Sequence, residues 1–176
     1  KGSEWMSIEH DKEWAEKISN KAKRKSNIKI YHVPCNHHPW SDEYGDGSYD
    51  DFRDYVDFPD GKEKFDLILI DGRARKDCAR HAFQIIKDDG LVILHDAHRE
   101  YYHEPLRLYR QQKYLVDLRK PDLEPPFCGR ALWVGSKHKN IGDIMNLNKT
   151  FFGDPHGLIV DQNDDFCQSA RQSNEQ

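Results

Sequence analysis

Phe65-Asp66-Leu67-Ile68-Leu69-Ile70-Asp71-Gly72 is an apolar run that ends in a carboxylate, and Gly90-Leu91-Val92-Ile93-Leu94-His95-Asp96 repeats the pattern further along the chain. A continuous apolar run bounded by turn or charged residues is how a strand buried on both faces of a parallel sheet reads. Between the two, residues 77–87 carry Ala79, Ala82, Phe83, Ile85 and Ile86 at near-helical spacing, and Asp88-Asp89-Gly90 reads as the stop. The sum is strand, helix, strand. A right-handed crossover makes the strands parallel, so Asp71 and Asp96 emerge at one edge of the sheet, the carboxyl edge at which open α/β sheets bind ligands.

Working outward, Trp5-Met6-Ser7-Ile8-Glu9 is a short strand-like run ending in an acid, and residues 10–25 place Trp14, Ile18 and Ala22 on one helical face. Residues 28–33 alternate and β-branch as a strand that Pro34 closes. Strands and helices therefore alternate from the start. The pattern breaks at 34–64, a long acidic connection of the kind that serves as a flap or family insertion, with Phe52, Tyr55, Val56 and Phe58 available to dock it as one helical turn. Further on, 101–112 reads as a helix interrupted by Pro105, 114–118 as a strand, 121–129 as a loop and 131–135 as a last strand, antiparallel because its connection is too short for a packed helix. Signals weaken after Lys137, and 161–176 has the composition of a loose tail. One α/β domain over 1–137 with a C-terminal extension over 138–176 is the expected organisation.

Hydrophobic residues at 36% against 33% charged fit a small core with long solvated loops. A net charge of -4 argues against a general attraction to nucleic acid or an anionic membrane. No run approaches the roughly 20 apolar residues of a membrane span, and no signal-peptide pattern appears, so the expectation is a soluble, cytoplasmic protein. Cys35, Cys78, Cys128 and Cys167 are scattered without CxxC spacing, which fits reduced thiols.

Chemistry gathers at the strand ends. Glu9 precedes a helix at the place where doubly wound folds put a ribose-binding acid, and equally where the helix dipole favours an acid. Asp71 and Asp96 would repel one another, which points to a shared cation such as magnesium or a shared proton, against the simpler reading of one cap and one turn residue. His95 and His98 flank Asp96; strand alternation sends His95 to the opposite face, so His98 is the expected partner. Arg73, Arg75 and Arg99 either bind an anion or pair with nearby acids. Cys35, His37 and His38 lack a second ligand pair at zinc spacing, and Gly45-Asp46-Gly47 is a loop glycine pair. There is no GxxxxGK[ST] and no GxSxG, so phosphate-loop and serine-nucleophile chemistry are unsupported.

Met6-Ser7-Ile8-Glu9-His10-Asp11 together with the two runs quoted first resemble the second, fourth and fifth strand segments of class I S-adenosylmethionine-dependent methyltransferases. The resemblance covers residues 5–135 in order. It implies a Rossmann-like, doubly wound, mostly parallel sheet with an antiparallel last strand. It further implies that Glu9 binds the cofactor ribose, that Pro34 and Cys35 flank the adenine, and that Asp71 lies near the methyl donor. In the metal-dependent catechol type, acids after the fourth and fifth strands hold Mg2+, and Asp71 and Asp96 match them; Ala97 stands where that type has asparagine, so His98 substitutes or the metal site is absent. The family's first strand and glycine-rich loop have no counterpart before Trp5, which implies an N-terminally incomplete chain or a degenerate relative lacking the central strand between the second and fourth. The expected activity is methyl transfer to a hydroxyl of a small molecule or sugar, with Asp71 and His98 as the catalytic pair and magnesium as a possible assistant. The competing expectations are a metal-dependent hydrolase using Asp71, Asp96 and His98, and a non-catalytic binding domain of the same fold.

Overall fold

The computed structural model describes residues 2–40, 42, 44–97, 99–115 and 132–142. β1 (Trp5–Glu9), α1 (Lys12–Ala22) and β2 (Ile28–His32) form the first unit, in which β1 and β2 pair in parallel from Trp5 against Ile28 to Glu9 against His32. Asp11 starts α1 because its carboxylate accepts the Trp14 N–H at 2.7 Å, satisfying a donor the first turn would otherwise leave bare. The acidic segment contributes α2 (Arg53–Asp57). β3 (Phe65–Ile70), α3 (Arg75–Ile85) and β4 (Ile86–Leu94) form the second parallel unit. A 3-10 turn over Glu100–Tyr102 leads into α4 (His103–Leu106), then β5 (Gln111–Leu115) and β6 (Leu132–Ser136).

The second sheet runs β3-β4-β6-β5, with β6 antiparallel to both neighbours, as the short connection required. The α/β class and parallel-dominated sheets match the expectation. Three details differ. β4 begins at Ile86, so Asp88-Asp89-Gly90 lies inside a strand; the pairing slips between Phe65–Ile86 and Leu67–Leu91, and this irregularity absorbs the polar residues. Gly90 permits it, since a Cβ there would stand 3.0 Å from the Phe65 carbonyl oxygen. The helix expected over 101–112 shrinks to two short turns, because Pro105 has no N–H to extend the ladder. The chain then turns to bury Tyr109, whose hydroxyl donates to the Ala79 carbonyl at 2.8 Å. β5 starts three residues before the expected strand, whose residues 116–118 lie outside the described ones, as do the 121–129 loop and the 161–176 tail.

The core sits on the second sheet. Ala79 and Ala82 of α3, Ile86, Val92 and Leu94 of β4, and Tyr102, Leu106, Tyr109 and Trp133 are all buried together. A smaller cluster of Phe52, Val56 and Ala74 docks the acidic segment. That segment is packed rather than a loose flap: Asp46 and Phe52 are fully buried and Asp51 nearly so.

Among the described residues, the two sheets share no strand pairing. β1 and β3 instead face a shared cleft of about 500 Å³, at the position where the sequence resemblance left a strand out. Among the described residues, no helix is long and apolar enough to cross a membrane.

Candidate functional site at the carboxyl edge

β1 and β3 both deliver their last residues to the same end of this cleft, whose lining includes Glu9, Asp71 and Gly72. Tyr55 links the two ends, its hydroxyl lying against Gly72 and within the field of Glu9, so the two expected cofactor-side acids, Glu9 and Asp71, share one cleft. Glu9 is largely buried and uses one oxygen for the turn: Oε1 accepts the His10 N–H at 2.9 Å and the Asp11 N–H at 3.2 Å, and lies 3.0 Å from His10 Nδ1. All three contacts fall on Oε1, so the carboxylate is oriented by the backbone. Pro34 and Cys35 do not line the cleft; Cys35 packs instead against the Phe52 cluster.

Tyr55 joins the site from α2. Its side chain lines the cleft, and a Cβ on Gly72 would collide with its hydroxyl, so Gly72 is glycine because the tyrosine passes there. Burial pushes the Tyr55 hydroxyl well above its ordinary range, with the charge of Glu9 acting the same way. It is therefore a neutral donor at neutral pH. The sequence marked Tyr55 only as a docking residue.

Asp71 and Asp96 do come together, but through protein groups. Arg75, the first residue of α3, is buried except for a tenth of its side chain and ties the two strand ends: Nε donates to the Gly72 carbonyl at 3.0 Å, and Nη1 to the His95 carbonyl at 3.1 Å and to Asp96 Oδ2 at 3.0 Å. Its Nη2 lies 3.8 Å from Asp71 Oδ1. β4 ends at Leu94, so strand alternation no longer governs His95. His95 Nδ1 stands 2.9 Å from Asp71 Oδ1 and 3.4 Å from Asp96 Oδ1, close but without hydrogen-bond alignment. His95, not expected at this face, is thus the imidazole between the two acids, and His98 lies outside the described residues. The cation that relieves the Asp71–Asp96 repulsion is a guanidinium. Asp96 Oδ2 is engaged by Arg75, so a metal ion at this pair would compete with the guanidinium for that oxygen.

Asp46 completes the frame. The N-cap position of α3 is Ala74, in the αL conformation (φ 47°), and its methyl side chain has no acceptor to offer the helix. The buried Asp46 supplies it from the acidic segment: Oδ2 accepts the Arg75 N–H at 2.9 Å and its backbone carbonyl accepts the Ala74 N–H at 2.8 Å. Burial raises the Asp46 carboxyl above the usual carboxylate range, and Arg75 pulls it back down. Gly45 and Gly47 bracket it at positive φ, 64° and 82°, and no strand or helix spacing announced this role. Arg73 lies 4.8 Å over the Trp40 ring, and Arg99 donates to the Tyr102 hydroxyl, so both have partners in the protein. Cys35 and Cys78 are free thiols, as expected, and burial holds the Cys78 thiol protonated. Among the described residues, the metal-type ligands that gather are Asp57, Asp60 and His81, rather than Cys35, His37 and His38.

No protein-family model and no curated protein matches the chain. Among solved structures, a methyltransferase-like protein from Silicibacter pomeroyi is similar at 19% identity, over 82% of this chain and 74% of that one, with a TM-score of 0.47. Spermidine synthase from Thermotoga maritima is similar at 15% identity, over 78% of this chain and 47% of the synthase, with a TM-score of 0.49. The chain thus spans about half the length of the synthase, and the likeness is one of fold.

Proposed function

We propose that this chain is an S-adenosylmethionine-dependent methyltransferase domain that methylates a hydroxyl of a small molecule or sugar. The observation that carries the reading is that Glu9, Tyr55, Asp71 and Gly72 all line one cleft. The donor set fits the cofactor: an acceptor-only carboxylate held in place by its own turn suits the paired hydroxyls of a ribose, and the neutral Tyr55 hydroxyl beside it adds a donor. When bound, the cofactor supplies an electrophilic methyl group on a sulfonium. The chain's own part is alignment and proton removal. Asp71 lines the cleft 3.8 Å from the Arg75 guanidinium, and the half-exposed His95 beside it is assigned the proton of an incoming hydroxyl. His98 keeps its sequence-based candidacy for the same role. No step is assigned to magnesium, because the Arg75 guanidinium already lies between the two acids.

Calorimetry with S-adenosylmethionine and the full chain tests the reading. Binding is expected, and Glu9→Ala should lose about 1.5–3 kcal/mol of it, as for a hydrogen-bonded charged group. Unchanged affinity in a folded variant removes Glu9 from the site, and no binding by the wild-type chain favours the non-catalytic domain.

A further inference from the structure

Away from the carboxyl edge, a second group of ionisable side chains meets where the acidic segment docks on α3. Asp57 closes α2, Asp60 follows in a turn whose Asp60 N–H donates to the Asp57 carbonyl at 2.9 Å, and His81 reaches them from α3. One nitrogen or oxygen from each lies within 4.8 Å of the other two. His81 is six positions beyond Arg75 on α3, about 9 Å along the helix, so this group is separate from the frame at the strand ends.

The imidazole makes the group more than an acidic patch. The His81 side chain is 14% exposed, and its Nε2, 2.9 Å from Asp60 Oδ1, is shut off from solvent with no aligned hydrogen-bond partner. A buried polar nitrogen normally has such a partner, so its absence calls for a reason. The spacing offers one: 2.9 Å is about the distance between neighbouring ligands at right angles on a metal with bonds of roughly 2.0–2.1 Å. Among the described residues, no lysine or arginine forms an ion pair with Asp57 or Asp60, whereas Asp71 and Asp96 have Arg75. Lys62, close in sequence, spends its Nζ on the Phe58 carbonyl and ring. Asp57 is held from outside the group, since the Tyr49 hydroxyl donates to its Oδ2 at 2.6 Å, the kind of hydrogen bond that fixes a ligating carboxylate.

We propose that Asp57, Asp60 and His81 bind a divalent transition-metal ion of the zinc class, which clips the acidic segment to α3. One imidazole with two carboxylates is a mixed nitrogen and oxygen set, which suits Zn2+ better than the all-oxygen sites that magnesium and calcium take. Three protein ligands leave the remaining positions to water. Pro59 and His81 both line the cleft, so a clip here stiffens one of its walls. The ion takes no part in the proposed methyl transfer, and the segment keeps its separate anchorage through Asp46 and Phe52.

Calorimetric titration of the full chain with Zn2+, after chelator treatment and dialysis, is the test. A single equivalent is expected to bind. Tyr49→Phe removes only the supporting hydrogen bond and should weaken binding roughly 10-fold, and Asp60→Asn and His81→Gln should each lose at least as much. Asp60 is 59% exposed, so its variant keeps the fold and the test does not hang on the more buried His81. Zinc should also slow amide exchange over 53–62 in the wild-type chain and not in Asp60→Asn. Co2+ in place of zinc should give the weak visible bands of a nitrogen and oxygen site, without a thiolate charge-transfer band. Absence of saturable zinc binding overturns the proposal. So does binding that Asp60→Asn and His81→Gln leave unchanged, or a thiolate band, because other histidines or the cysteines then hold the ion.

Discussion

The units β1-α1-β2 and β3-α3-β4 are built on one motif and differ in their company. In the second, α3 lays Ala79 and Ala82 over β4, and Tyr102, Tyr109 and Trp133 close the core from beyond it. In the first, Ala15 is the buried residue of α1, and no residue of β1 or β2 is fully buried. Local grammar is the same in both: capped or strand-fed helix, parallel pair, acid at the strand end. What separates them is neighbours. A parallel pair does not make a core by itself; it acquires one from the strands and helices packed on its free edge and faces.

Core truncation probes this difference most strongly. Trp133→Ala should cost about 3–5 kcal/mol in urea unfolding, whereas Ile18→Ala on the half-buried face of α1 should cost less than about 1 kcal/mol. Equal costs would erase the contrast. Next comes the junction that ties the acidic segment to the better-packed half. Gly47 sits at φ 82° with the Phe52 ring against it, so Gly47→Ala should cost roughly 1–3 kcal/mol and loosen the Arg75 amide in hydrogen exchange, with β1 and β2 unaffected.

Smaller still is a pH effect. The Asp46 carboxyl is raised in the folded protein, so between its unfolded value of 3.8 and its folded value the native state holds a proton that the unfolded chain has released. Stability from this group is therefore complete below 3.8 and declines as pH rises through the folded value. Asp46→Asn keeps an acceptor for the Arg75 N–H and should remove that part of the decline in a urea midpoint series over acidic pH. The smallest expected effect is none: under the proposed function, methyl transfer persists in excess EDTA, with the Arg75 guanidinium lying between Asp71 and Asp96. Loss of activity on chelation would restore the metal reading.

What is legible in the sequence follows from strong periodicity. Trp5–Glu9 as a strand and the alternation through β4 can be seen because parallel strands leave apolar runs, and the antiparallel last strand because its connection is too short for a packed helix. The meeting of Glu9 and Asp71 at one cleft agrees with the expectation that acids at strand ends gather at a sheet's carboxyl edge. Three features are hidden for identifiable reasons. His95 reads onto the wrong face because the alternation rule is carried one residue past the end of β4. Arg75 looks like any surface arginine, since nothing local shows that a guanidinium will reach two strand ends at once. Asp46 is one acid among many, and its burial depends on Gly45, Gly47 and Phe52 acting together across a turn. Long-range partners of single polar residues carry no period, so only the fold shows them.

The borrowed cap of α3 has a consequence for how this domain tolerates rebuilding. Because Asp46 starts the helix that carries Arg75, and Tyr55 forms part of the cleft wall beside Gly72, residues 36–64 are not an exchangeable surface module. A graft that replaced them with a shorter connection of matching end-to-end reach would leave the α3 amino terminus bare and open the wall of the cleft. Loop-swap experiments on this scaffold should therefore carry Asp46 and Tyr55 across as a pair, whatever else is exchanged.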